Sequence, residues 1–220
     1  MKLMLTSAGI RNGSLRAALV GLLGKPIGEC AALAIPTASY GRPNGMVQAY
    51  RYLTGQGTTP MCELGWKSIG VLEPAVLTAL DRAEWEPRVR EADVLLASGG
   101  DALFLAHWIR RSGLAELLPS FDGVYVGMSA GSMALTPRIG EDFVSWRPPE
   151  GGDATLGLVG FSLFPHLDHP MLPENTMADA ERWAEGLGVP AYAIDDETAI
   201  RVADGAVDVV SEGHWRHFPG

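Results

Sequence analysis

Two segments of this chain repeat one pattern. Residues 93–97, "DVLLA", read as a buried strand, apolar without a break from Val94, that passes through Ser98-Gly99-Gly100-Asp101 into helical spacing over 102–111. Residues 124–127, "VYVG", lead in the same way to a turn at Ser129, where the next helix opens. A short apolar run without alternation fits a strand buried on both faces. Strands that alternate with helices predict an α/β fold with a doubly wound, mostly parallel sheet flanked by helices. Ligands in such sheets sit beyond the carboxyl ends of the strands. Both glycine turns, 98–101 and 127–131, belong to that edge.

The remaining segments fit the same plan. Residues 2–7 read as a buried strand, ended by Gly9 and Asn12-Gly13. Leu15, Leu19, Leu22 and Leu23 give 14–23 one apolar helical side. A strand over 32–35 stops at Pro36, and 46–53 reads as a short helix. Another strand is expected near 62–64 or 68–72, then a helix over 73–80 with Pro74 in its first turn. The polar stretch 140–157, with Pro148-Pro149 and Gly151-Gly152, reads as a long loop of the kind that often serves function. Residues 158–164 form a strand ending at Pro165-His166, and 175–185 a helix capped by Asn175 or Thr176. Short strands follow, with a hairpin at Ala203-Asp204-Gly205. At 220 residues, with no internal repeat or linker, one domain over 1–220 is expected.

Composition narrows the partners. A net charge of −9 argues against nucleic acid or an anionic membrane as a partner. No apolar run approaches the ~20 residues of a membrane span, and the first residues lack the apolar core of a signal peptide. Cys30 and Cys62 suggest no disulfide framework and fit packing roles in a reducing cytoplasm.

The stretch "GMSAGS" carries the chemistry. Gly127 and Gly131 flank Ser129 in a Gly-x-Ser-x-Gly frame, the spacing of a nucleophile elbow. A serine hydroxyl attacks only when a base takes its proton and donors await the product charge. The Ala130 N–H, at a helix start, suits one such donor. Gly99-Gly100, at a neighbouring strand end, suits the second, since backbone without Cβ approaches a substrate closely. Asp101 suits either a substrate amine or the cap of the following helix.

The bases are fewer. His107 lies inside a helical pattern without an obvious partner. His166 and His169 stand in "FPHLDHP", a His-x-x-His pair for which no third metal ligand is evident. His214 and His217 close the chain. Two triads compete: Ser129 with Glu141 or Asp142 and His166, or Ser129 with Asp195 or Asp196 and His214. The second follows the order of a small α/β-hydrolase esterase. That fold usually carries an early His-Gly oxyanion loop, and no histidine precedes His107 here. A non-catalytic binding protein is the alternative from outside the enzymes.

"LLASGGDALFLAHWIRRSGL", then "GVYVGMSAGSMALTP", then "FSLFPHLDHP" together resemble the dipeptidase E and cyanophycinase family of serine peptidases. "KLMLTSAGIRNGS", "LAIPTAS" and "AIDDETAIRV" extend the resemblance over nearly the whole chain. It implies a flavodoxin-like sheet related to class I glutamine amidotransferases, with serine in place of cysteine at the elbow. It implies Ser129 as nucleophile, His166 as base, and the N–H groups of Gly100 and Ala130 as oxyanion hole. The acid falls in "TPRIGEDF", at Asp142 or Glu141, and Gly99 and Asp101 border the substrate. The implied reaction is hydrolysis of dipeptides or short peptides, N-terminal aspartate among them, without metal or cofactor. A monomer or homodimer is expected.

Overall fold

In the computed structural model, which describes all 220 residues, the apolar runs become strands. These are β1 (Lys2–Thr6), β2 (Ala31–Ile35), β3 (Ser68–Val71), β4 (Val94–Ala97), β5 (Val124–Met128), β6 (Ser162–Phe164), β7 (Ala191–Ile194), β8 (Thr198–Ala203), β9 (Ala206–Ser211) and β10 (Trp215–Phe218). Seven of them form one sheet in the order β3-β2-β4-β5-β1-β8-β9. Its first five strands run parallel, while β8 and β9 add antiparallel neighbours. The other three form a small sheet, β10-β7-β6. The α/β, doubly wound, mostly parallel architecture with short C-terminal strands is therefore present.

Burial on both faces explains the unbroken apolar runs. Leu95 and Ala97 of β4 point into one core, with helix Ala102–Arg111, whereas Val94 and Leu96 point into the other, with helix Gly13–Leu23. Side chains alternate across a strand, so only a continuous apolar run fills both layers. A third apolar cluster joins the small sheet to helix Met177–Leu187.

Local signals set the helix ends. Asp101 accepts the Phe104 N–H at 2.9 Å and starts Ala102–Arg111 where the sequence places it. Thr176 and Asp179 form a capping box at the start of Met177–Leu187. The ambiguous strand falls at Ser68–Val71, and the helix expected over 73–80 shortens to Pro74–Leu77. The strand expected over 158–164 shortens to Ser162–Phe164. Helix Arg82–Glu91 has no clear sequence signal. It carries Pro87 in its interior and buries only Trp85 and Val89, one turn apart, so its apolar stripe is too thin to read.

Residues 140–157 contain one short turn, Glu141–Phe143, and a bridge between Arg138 and Ala154. The segment is tied down. Asp153 pairs with Arg138 through both oxygens, at 2.9 and 3.1 Å, and also accepts the Gly140 N–H. No helix of the chain is long and apolar enough to cross a membrane.

Candidate active site

The elbow is built by backbone geometry. Ser129 sits between β5 and helix Ala130–Met133 at φ 50°, ψ −113°. A non-glycine residue in such a conformation costs about 1–3 kcal/mol and persists only where its surroundings enforce it. Here the Ser129 N–H donates to Thr6 O at 2.9 Å, and Ser129 O accepts from Ser132 and Met133. The flanking glycines are sterically required. A Cβ on Gly131 would lie 2.4 Å from Ala97 O, and one on Gly127 2.6 Å from Ser132 N. The Ser129 side chain makes no capping bond, so its hydroxyl is not spent on the helix.

Gly100 belongs to the next turn. Its φ is 141°, and a Cβ there would lie 2.1 Å from Ala38 O. Its N–H meets no acceptor within the chain. The Ala130 N–H is the first of its helix, where intrahelical acceptors are lacking. Gly100, Ser129, Ala130 and His166 line one cavity of about 370 Å³, with Asp142 and Glu174 also on its wall.

His166 follows β6 and Pro165 and also has positive φ, 58°. Its N–H donates to Ser7 Oγ at 2.6 Å. Its Nδ1 lies 2.7 Å from Asp196 Oδ1. The Ser7 hydroxyl donates to that same oxygen at 2.9 Å. Arg11 reaches the other Asp196 oxygen at 3.1 Å, and His169 approaches it at 3.6 Å. Burial acts to raise the Asp196 carboxyl. The His166 hydrogen bond and charge, the Ser7 hydroxyl and the His169 charge outweigh it and hold the group below its ordinary value. With Asp196 ionised, the His166 proton belongs on Nδ1, which leaves Nε2 free to accept.

The carboxylate at His166 is thus not one of those expected. Glu141 is exposed and pairs with Arg147 at 3.0 Å. Asp142 shares the cavity wall with His166 but makes no hydrogen bond to it. Asp196 stood in the competing triad, where it was matched with His214. His214 instead lies between Asp168, at 2.8 Å from Nε2, and Asp195, at 3.0 Å from Nδ1. It does not border the cavity that holds Ser129. Asp101 also departs from a substrate role. It is 3% exposed. One oxygen accepts from Phe104, and the other accepts from the Ser145 hydroxyl at 2.5 Å and the Trp146 N–H at 2.8 Å. It caps a helix and anchors the 140–157 segment. Gly99 lines a second, adjoining cavity. His107 packs between Trp108 and Trp146, away from the elbow.

Ser7 was missed from sequence. Its signal was weak but present: "TSAG" is a small-residue turn at a strand end, as at the two glycine turns. Ser7, Gly100, Ser129, His166 and Asp196 all follow the carboxyl ends of strands, β1, β4, β5, β6 and β7 respectively. No group of three or more His, Cys, Asp or Glu side chains is arranged to hold a metal ion.

The model of peptidase family S51 matches residues 3–210. The chain belongs to that family. The dipeptidase E resemblance fits that membership. An uncharacterized peptidase of Pasteurella multocida (strain Pm70) is 29% identical over 135 residues, which cover 57% of this chain and 63% of that protein. The chain therefore aligns with somewhat under two thirds of the length of that relative. A crystal structure from Listeria monocytogenes EGD-e, named for peptidase E, superposes with TM-score 0.68 at 20% identity, covering 96% of this chain and 98% of that one. A peptidase from an acI-B1 Actinobacterium gives TM-score 0.66 at 20% identity, covering 99% and 93%. At such identity these two matches speak to the fold.

Proposed function

We propose that this S51 family member hydrolyses dipeptides or other short peptides, including those with N-terminal aspartate, through Ser129, His166 and Asp196. One observation carries the reading: the histidine that shares a cavity with the elbow serine has its Nδ1 on a carboxylate at 2.7 Å. In this scheme His166 Nε2 takes the Ser129 proton as Oγ attacks the scissile carbonyl. Asp196 keeps the ring in the right tautomer and stabilises the imidazolium that forms. The N–H groups of Gly100 and Ala130 receive the oxyanion, each such donor being worth roughly 10²–10³ in rate. His166 then gives its proton to the leaving amine, which departs and leaves an acyl-enzyme. Water deprotonated by His166 attacks the ester, releasing the acid and restoring Ser129.

The pinned segment 140–157 acts here as a fixed wall that limits the length of chain the cleft admits. Its anchors at Asp101 and Arg138 support that role over a mobile gate. A cytoplasmic setting belongs to the same proposal, supported by two free cysteines.

A fluorophosphonate probe should label wild-type protein and fail on Ser129→Ala. A dipeptide library then identifies substrates, on which His166→Ala should be inactive and His214→Ala active. Activity that survives loss of His166 but not of His214 would overturn the assignment in favour of an esterase-like triad.

A further inference from the structure

A second cavity, of about 430 Å³, also borders Gly100. Ser98, Gly99, Gly100 and Met128 line it, and so do Arg42 and Arg51. Arg42 and Gly100 also border the cavity of Ser129 and His166, so the two spaces form one cleft divided at an oxyanion donor.

The halves differ in charge. The wall of the second cavity has two arginines, several hydroxyl and amide groups and no carboxylate. Neither arginine pairs with a carboxylate elsewhere; Arg42 only donates to Ser145 Oγ, at 2.8 Å, and Arg51 has no side-chain partner. Two guanidinium groups without a carboxylate partner thus line one cavity in a chain of net charge −9, in which arginines such as Arg82, Arg138, Arg201 and Arg216 are held by Asp or Glu. The catalytic half presents Asp142 and Glu174. A free short peptide carries an ammonium at one end and a carboxylate at the other, and this cleft presents the opposite charge at each end.

Resting on the peptidase reading above, we infer that Arg42 and Arg51 form a subsite for the C-terminal carboxylate of a short peptide. The N-terminal ammonium lies towards Asp142 and Glu174, and the scissile carbonyl lies at Gly100 and Ala130. Planar guanidinium groups suit a carboxylate, which accepts paired N–H donors. Such a subsite selects peptides whose free C-terminus lies close to the bond that is cut, which gives a length limit independent of side chains.

The test uses Ser129→Ala, which binds peptide without turning it over, and isothermal titration with Asp-Leu, Ala-Leu and their C-terminal amides. Amidation should weaken binding about 10-fold or more, the usual worth of a hydrogen-bonded charge. In Ser129→Ala carrying Arg42→Gln and Arg51→Gln, the free acid should bind no better than the amide. The inference is overturned if amidation changes affinity by less than about twofold, a smaller effect than such a charge supplies, or if the preference for the free acid survives loss of both arginines. It is also overturned if the arginines discriminate Asp-Leu from Ala-Leu instead, since the anion held is then a side chain. Absence of binding by any of these peptides to folded protein counts against it as well. Fluorophosphonate labelling of Ser129 in the wild type reports separately on the nucleophile.

Discussion

Replacing Asp196 by Asn tests the central geometry most directly. The change keeps the side-chain shape but removes the charge 2.7 Å from His166 Nδ1. An imidazolium and a carboxylate with charge centres about 4 Å apart interact by roughly 4 kcal/mol at an effective dielectric of about 20. Lost from the transition state, that is about a 10³-fold fall in kcat. A second effect adds to it. The Asn amide can donate to Nδ1, which moves the ring proton to Nε2 and turns a base into a donor facing Ser129. In a well-studied serine protease the equivalent change costs about 10⁴, so a loss of about 10³–10⁴ in kcat is expected, with KM little changed. The assay is steady-state hydrolysis of the best dipeptide from the library, with circular dichroism to confirm folding. Asp142→Asn is the counterpart, expected to act mainly on KM. If Asp142→Asn abolishes kcat while Asp196→Asn lowers it less than about 10-fold, the electrostatic argument fails.

Three further outcomes follow from the same contacts. Ser7→Ala removes a donor to Asp196 and the acceptor of the His166 N–H; kcat should fall about 10-fold, with stability lower by about 1–3 kcal/mol for the orphaned amide, as read by kinetics and urea titration. Gly131→Ala places a methyl 2.4 Å from the Ala97 carbonyl, so stability should fall by about 1–3 kcal/mol or more as the elbow shifts, and fluorophosphonate labelling of Ser129 should slow sharply; unchanged labelling would refute the steric reading. Asp153→Asn breaks the two-pronged pairing with Arg138, and should cost about 1–2 kcal/mol, or about 3–6 °C in Tm. The pH dependence of that last term has a definite sign. Burial acts to raise the Asp153 carboxyl, but Arg138 and the Gly140 N–H lower it further, so its folded pKa lies below its unfolded value. Its contribution is complete above the ordinary carboxylate pKa of about 4 and is lost as pH falls through the lowered value. The gap in Tm between wild type and Asp153→Asn should therefore close in acid.

Much of this molecule was legible because the signals were local. Buried runs such as 93–97 and 124–127 predicted two-sided strands, and the core confirms that successive residues point to opposite layers. Asp101 and Thr176 mark helix starts through bonds that span three residues. Gly127 and Gly131 are needed by contacts inside their own turn or with the adjoining strand. The carboxylate beside His166 was a different problem. Glu141 and Asp142 lie closer to Ser129 along the chain, yet Glu141 turns to Arg147 and Asp142 makes no bond to the imidazole. Asp196 comes from 30 residues beyond His166.

Its arrival depends on strand register. β6 and β7 pair in parallel, with Phe164 opposite Ala193, so the chain leaves the sheet at Pro165-His166 and at Asp195-Asp196 side by side. Which of those two aspartates meets His166 depends on the turn that follows: Asp195 faces back to Thr198 and His214, and Asp196 faces His166 and Ser7. Ser7 joins them only because β1 lies beside β5 and carries its own strand end to the same edge. The turn at Ser129 was thus legible in five consecutive residues, 127–131, although Ala97 O of β4 and Thr6 O of β1 help to hold it. His166 and its partners Ser7 and Asp196 come from three strand ends far apart in the chain, and pairing within each of the two sheets is what carries those ends to one edge.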